Sequence, residues 1–315
     1  MLVDMRDAFF DELLTSARAE SNLIFLTADH GAFALDQFQR EFPDRFLNVG
    51  IAEQNMIGVA AGLASRGKVV FVYGIAPFVS LRVLEHLTVD VAAMGAAVNV
   101  VSVGAGFTYS TDGPTHHGLQ DLSAVLTIPN ITVLNSSDPL NTRSFVQTSV
   151  SARSPHYIRI EKEKLPNLDR AEKFEITSPY GYSLLAKGKS KKILIVSTGA
   201  LTHRVHKMTL HLESELGSAY SIIDLHRIKP ISLEAVELIC SYENVITIEE
   251  GYTTGLGAAL LNAIHSSKDP LGYPQVRCLG VDENYIFDAG SRELLQELYG
   301  PLKMMEQLIR SNHKM

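Results

Sequence analysis

Short β-branched runs recur along this chain at intervals long enough for a helix. That alternation limits the available folds more than any other feature. The runs are LIFLTAD (23–29), FLNVG (46–50), VVFVYG (69–74), VNVVSVGA (98–105), ITVLNSS (131–137) and HYIRI (156–160). Continuous apolar runs are what strands buried on both faces need, and the helices between them are the crossovers that parallel pairing requires. Residues 162–182, KEKLPNLDRAEKFEITSPYGY, are charged and strand-poor and read as a linker. A second alternation follows in KKILIVSTGA, AYSIIDLHRIKP, NVITIEE and QVRCLGV. The expected fold is α/β: two α/β domains, over 1–170 and 171–315, each with a mostly parallel sheet covered by helices. Ligands in such sheets bind beyond the carboxyl ends of the strands. Those ends carry Asp29, the GIAEQ turn (50–54), the YGIAPF turn (73–78) and the GAGFTYSTDGPTHHG loop (104–118).

Composition removes several classes of function. The 315 residues are 46% hydrophobic, enough for two cores, and carry a net charge of −7. An acidic chain without clustered Lys and Arg is no nucleic-acid binder. Cys240 and Cys278 lie far apart, which excludes a disulfide framework or a cysteine-based zinc site and suits a reducing, cytoplasmic setting. MLVDMRDAFFDELL mixes acids into an amphipathic helical pattern, unlike a signal peptide. The run VAAMGAAVNVVSVGAGF (91–107) is rich in Ala and Gly and contains Asn99 and Ser102. It reads as a helix end entering a buried strand, not as a membrane span.

Two segments could carry chemistry. YSTDGPTHHG (109–118) places Asp112, His116 and His117 around a Gly–Pro pair that fixes a tight path. A positioned His beside a positioned Asp suits acid–base work on a hydroxyl or carbonyl, although solvated surface turns share this composition. NVGIAEQNMIGVAAGLA (48–64) places Glu53 at the start of a helix rich in small residues, Gly58, Ala60, Ala61, Gly62 and Ala64. The helix dipole favours such a Glu by about 0.3–1 kcal/mol. The alternative is a carboxylate sharing a proton with a ligand nitrogen in an apolar slot, with the small residues letting a flat ring approach. Other signals are discounted. VGAGFTY lacks the third glycine of a dinucleotide loop. TTGLGAAL (253–260) reads as close packing, and Glu249 and Glu250 as structural. His203, His206 and His211 read as solvent-facing, not as a zinc site.

The segments FPDRFLNVGIAEQNMIGVAAGLASRGKVVFVYGIAPF (42–78) and DGPTHHGLQDLSAVLTIPNITVLNSSDP (112–139) together resemble the pyrimidine-binding domain of the transketolase family. IVSTGA, DLHRIKPI and VITIEEGYTTGLGAAL resemble the C-terminal domain of that family. The resemblance implies thiamine diphosphate as cofactor. Glu53 would hydrogen-bond the pyrimidine ring nitrogen and share its proton, Phe78 would stack on the ring, and Asp29 would lie near the thiamine. It also implies Asp112 and His116 as contacts to the hydroxyls and carbonyl of a sugar, with Glu53 and His116 as the catalytic pair. His117 stands where many transketolases have Gln and resembles the deoxyxylulose-phosphate synthase form.

The resemblance has departures. Family members hold the diphosphate through Mg2+ on a Gly-Asp-Gly stretch followed by an Asn, and no Gly-Asp-Gly occurs here. The implied arrangement is the C-terminal subunit of a split transketolase. A separate N-terminal subunit would supply the diphosphate domain and the Mg2+ ligands, in an α2β2 heterotetramer active only when both are present. Where relatives place an Arg for the substrate phosphate, this chain reads RIEKEKL (159–165). Lys162 is then the nearest candidate, with Arg159 pointing elsewhere, and Lys offers a point charge in place of a fork. The expected reaction moves a two-carbon ketol unit from a ketose donor to an aldose or related sugar whose charge is not the usual terminal phosphate. A deoxyxylulose-phosphate-synthase-like subunit, a ketoacid dehydrogenase beta-type subunit and a non-catalytic scaffold paralogue are the alternatives. DGPTHHG favours the sugar-handling branches, and Glu53, Asp112 and His116 together argue against a scaffold.

Overall fold

The computed structural model of the chain describes residues 1–31, 35–171, 180–217, 219–267 and 272–313. All six runs of the first half form strands of one seven-stranded sheet. Its spatial order is Arg227–Lys229, Thr132–Asn135, His156–Ile160, Val98–Val103, Val69–Ile75, Leu23–Thr27 and Phe46–Asn48. Every ladder in it is parallel except the one at the Arg227–Lys229 edge, which pairs antiparallel with Thr132–Asn135. That edge strand comes from the second half of the chain. Its partner is about ninety positions away, so no local pattern announces it.

Both faces of the sheet are covered, and Leu23–Thr27 and Val98–Val103 are buried at every position. On one face Phe9, Phe10 and Leu13 of helix Met5–Ala19 and Phe145 and Val146 of helix Pro139–Ala152 pack on Phe25, Phe71 and Tyr73. On the other, Met56, Ile57 and Ala60 of helix Glu53–Ser65 and Val91 of helix Leu87–Ala93 pack on Val70, Val72 and Val100. The 91–107 run is the end of that helical segment followed by the Val98–Val103 strand, as expected. Among the described residues no helix is long and apolar enough to cross a membrane.

The second half builds a five-stranded sheet ordered Gln275–Val281, Asn244–Tyr252, Ile193–Ser197, Ser221–Leu225 and Tyr182–Ala186, parallel except at the last strand. One hydrophobic cluster runs through both halves, joining Leu122, Val125 and Ile128 to Leu256 and Leu260. Arg292 makes a polar seam beside it. Its guanidinium lies 3.0 Å from Glu161, 3.0 Å from Glu163 and 2.6 Å from Glu250. Burial alone would raise the Glu250 carboxyl, but Arg292, Gln296 and the Phe107 amide together hold it below the usual range.

Three expectations need correction or limit. Part of the 162–182 linker, residues 172–179, lies outside the described residues, but the stretch is not strand-free: Lys164–Leu165 pairs antiparallel with Val3–Asp4. The histidines of helix Leu201–Leu216 are not all turned to solvent, because His203 Nε2 lies 2.8 Å from the Ser137 carbonyl oxygen. The small residues of helix Glu53–Ser65 do not surround Glu53. At 100° per residue Gly58, Gly62 and Ser65 fall on the face away from buried Glu53, Met56, Ile57 and Ala60. They line an open groove of about 690 Å3 with Val89, Met94 and Ala96. TTGLGAAL does pack closely, since a Cβ on Gly257 would meet the Cys278 side chain at 2.9 Å.

Candidate active site

Glu53 is the first residue of its helix and is only 6% exposed. Gly50, at φ +74°, turns the chain off strand Phe46–Asn48 into that helix, a conformation that favours glycine. The Ala52 cap offers no side-chain acceptor, so the carboxylate sits among first-turn amides where the dipole favours negative charge. One Glu53 oxygen, Oε2, accepts a hydrogen bond from Arg82 at 2.8 Å. The Arg82 guanidinium lies flat-side toward Phe78, its carbon 4.2 Å from the ring centroid, within the range of cation–π attraction.

Phe78 joins this pair to the 104–118 loop. His116 meets it edge-on, with ring centroids 5.1 Å apart, and also lies 6.3 Å from Tyr109. Lys162 Nζ sits 5.0 Å from the Tyr109 ring on the far side. The line Glu53, Arg82, Phe78, His116, Tyr109, Lys162 is therefore continuous. Burial pushes the Tyr109 hydroxyl up to about 12, so it remains a neutral donor. The loop is pinned where Gly106 and Gly118 exchange backbone hydrogen bonds of 2.9 and 2.8 Å. Only glycine fits at 118, because a Cβ there would lie 2.5 Å from the Gly104 carbonyl oxygen. Within the loop the His116 amide donates to the Gly113 carbonyl at 3.0 Å, and Thr115 Oγ1 lies 3.0 Å from His116 Nδ1.

The other expected residues take different places. Asp29 is exposed and is held by Asn48, whose Oδ1 accepts from the Asp29 amide at 3.0 Å. The same Asn48 oxygen accepts from the Gly50 amide at 3.0 Å, so Asp29 is tied to the turn that leads into Glu53. Asp112 is exposed at the end of the short Ser110–Asp112 turn. His117 lies beneath the loop, 6% exposed, with its ring edge-on to buried Phe107 at 5.3 Å. Burial pushes its imidazole below the usual histidine range. Lys162 is exposed. Arg159 does point elsewhere: its Nε and Nη2 bind the two Asp121 oxygens at 2.8 and 2.9 Å, and Nη2 also donates to the Gly118 carbonyl.

Two groups at this mouth escaped sequence reasoning. Arg82 stands four residues after Phe78, a helical spacing that puts two side chains on one face. His30 stacks on Tyr73 at 5.2 Å, and burial with the fields of Arg6 and Lys162 pushes its imidazole down. His30 follows Asp29 directly, so its position beside a strand end was the available signal.

The geometry fits a flat, nitrogen-bearing ring. Glu53 Oε2 and the Phe78 face already accept a planar N–H donor together, in the form of the Arg82 guanidinium. Among the described residues no cluster of His, Cys, Asp and Glu is arranged to hold a metal ion.

Comparison with known proteins agrees with this architecture. The family described as transketolase, pyrimidine binding domain, matches residues 2–167, and transketolase, C-terminal domain, matches residues 181–303. One of the two chains of the apulose-4-phosphate transketolase of Phocaeicola vulgatus is 30% identical, over 93% of this chain and 92% of its own length. The 6-deoxy-6-sulfo-D-fructose transketolase subunit SqwH of Clostridium sp. (strain MSTE9) is 30% identical, over 98% and 94%. A solved structure described as a split gene transketolase, inactive beta4 tetramer, superposes with a TM-score of 0.81 at 29% identity, covering 95% of this chain and 94% of that one. The chain belongs to the transketolase family and has the pyrimidine-binding and C-terminal domain arrangement of the second subunit of a split transketolase.

Proposed function

We propose that this chain is the pyrimidine-holding subunit of a thiamine diphosphate-dependent transketolase that moves a two-carbon ketol unit from a ketose to an aldose or related sugar. The supporting observation is the shared Phe78 ring, which has the Glu53–Arg82 pair over its face and His116 at its edge. When bound, thiamine diphosphate supplies the nucleophilic carbon and the electron sink that no side chain here provides.

The residues of the chain have separate tasks in this reading. Glu53 holds a proton at the pyrimidine ring nitrogen, in surroundings dry enough to strengthen that shared bond. Phe78 fixes the plane of the ring, and Asp29 braces the turn behind Glu53 through Asn48. His116 moves a proton at a sugar oxygen through Nε2, because Thr115 engages Nδ1. Asp112 and His117 contact sugar hydroxyls, and Lys162 meets the charged end of the substrate as a point charge.

A separate N-terminal subunit carries the diphosphate site and the Mg2+ ligands, in a cytoplasmic α2β2 assembly. That subunit covers the groove of Gly58, Gly62, Val89 and Met94. Ile51, 80% exposed two residues before Glu53, extends this apolar face to the site. The division at residue 170 separates the two functional domains.

Calorimetry of thiamine diphosphate with Mg2+, on this chain alone and with a co-expressed N-terminal subunit, tests the reading. Binding only by the mixture is the expected result. Tight binding by the single chain overturns the partner assignment, and binding by neither overturns the cofactor. Carbon dioxide release from pyruvate in place of ketol transfer would move the chain to the synthase branch.

A further inference from the structure

We propose that the Arg82 guanidinium is an internal stand-in for the pyrimidine, holding Glu53 and Phe78 until the ring displaces it. The inference rests on the assignment of Glu53 and Phe78 to the pyrimidine site. A guanidinium is planar, carries N–H donors on its edge and stacks on aromatic faces. Arg82 uses both properties, with one N–H on Glu53 Oε2 at 2.8 Å and its plane over Phe78 at 4.2 Å. A protonated aminopyrimidine has the same two features. Stacked atoms approach to about 3.5–4.0 Å, so the Phe78 face cannot hold both groups.

The exchange is mechanically simple. The Arg82 side chain is 43% exposed, so its long stem can carry the charge into water when it leaves. Its backbone stays in place, because the Arg82 carbonyl accepts from Gln54 Nε2 at 3.2 Å. Gln54 adjoins Glu53, so the hinge of the swinging side chain is fixed to the helix that carries the carboxylate. A site whose own cation fills it part of the time binds its ligand more weakly by the fraction filled. The guanidinium thus sets a threshold for ring entry and keeps the buried carboxylate paired meanwhile.

The test uses the full chain and 4-amino-5-hydroxymethyl-2-methylpyrimidine as probe, with its dissociation constant read by NMR titration. Arg82→Leu is expected to bind the probe about three- to tenfold more tightly than the parent, the scale of one partly exposed ion pair. Arg82→Lys, which keeps the charge and loses the plane, should fall between them. Added salt should tighten parental binding and leave Arg82→Leu unchanged. Equal or weaker binding by Arg82→Leu, including no detectable binding by either protein, overturns the proposal. Glu53→Gln and Phe78→Leu in the Arg82→Leu background separate the two levels. If they keep full affinity the pyrimidine assignment falls as well; if they lose it while Arg82→Leu matches the parent, only the stand-in falls.

Discussion

Two acids in this chain open a helix and bind an arginine, and they do opposite things. Asp121 opens Asp121–Leu126, and both its oxygens hold Arg159, with the Tyr157 hydroxyl added at 2.8 Å. Those side chains are 0% and 4% exposed. Burial works against the Arg159 charge, but Asp121 outweighs it and raises the guanidinium above its ordinary value. Glu53 opens Glu53–Ser65 and meets Arg82 through one contact, at 8% and 43% exposure. The first pair is enclosed and shared among several donors, so it fixes the loop end at Gly118 beside the substrate mouth. The second has a cation with water to go to, and it can take another partner. Composition and spacing do not separate these pairs; enclosure does.

The comparison breaks most visibly in activity. Glu53→Gln removes the shared proton and keeps the shape, so kcat for ketol transfer in the assembled enzyme should fall about 10²–10⁴-fold. Its unfolding midpoint should stay close to the parent's. Retained turnover would return Glu53 to the role of a helix-dipole residue and reopen the scaffold alternative.

Stability should show the reverse pattern at the enclosed pair. Arg159→Met leaves Asp121 buried without its cation, a change that typically costs about 3–5 kcal/mol. Urea unfolding should show this as a lower midpoint with an unchanged slope. A loss below about 1 kcal/mol would mean that water reaches Asp121 and that the pair is no more structural than a surface bridge.

A third buried acid and base asks whether enclosure needs charge at all. Asp224 Oδ2 lies 3.9 Å from His226 Nδ1. Burial pushes Asp224 up to about 7, opposed by Ser137 and Arg170 and reinforced by Asp138. Burial also pushes His226 down to about 3, with Arg170 and Arg227 acting the same way and Asp138 against it. Folded Asp224 holds a proton that the unfolded chain releases. Its contribution is present below its ordinary value of 3.8 and is lost as pH rises through about 7. Folded His226 refuses a proton that the unfolded chain takes, so its contribution is present above 6.5 and is lost as pH falls through about 3. The slopes oppose each other over the shared window and nearly cancel in the parent. Asp224→Asn should leave stability rising with pH across that window, and His226→Gln should leave it falling. Each slope is at most about 1.4 kcal/mol per pH unit. Parental profiles in both variants would mean that the pair is charged in the fold.

Much of the fold was legible because strands buried on both faces must be apolar throughout, and Leu23–Thr27, Val98–Val103 and His156–Ile160 are. Arg227–Lys229 and Lys164–Leu165 were not legible as edge pairings, since each is two or three residues long and finds its partner across the molecule. Residue types and their resemblance pointed to Glu53, Phe78 and His116, and folding brings these three around one ring. The small-residue reading failed because it used composition without the helical period, which turns Gly58 and Gly62 away from Glu53. Arg82 was passed over because a lone arginine in an irregular stretch reads as solvated, and only the fold lays it on Phe78.

The smallest effect belongs to the cation that leaves. Arg82→Leu removes the partner of a carboxylate that is 6% exposed, which by the rule for enclosed pairs would cost as much as Arg159→Met. Glu53 differs from Asp121 in what remains. It keeps the first-turn position of a 13-residue helix, worth about 0.3–1 kcal/mol to a carboxylate. Arg82 was 43% exposed, so water already reaches the edge of the pair it leaves. The expected loss in urea unfolding is therefore below about 1 kcal/mol, the range of exposed pairs. A loss near that of Arg159→Met would show that the Glu53 pocket is sealed without Arg82. The cation would then be a fixed part of the fold, and ring entry would have to proceed around it.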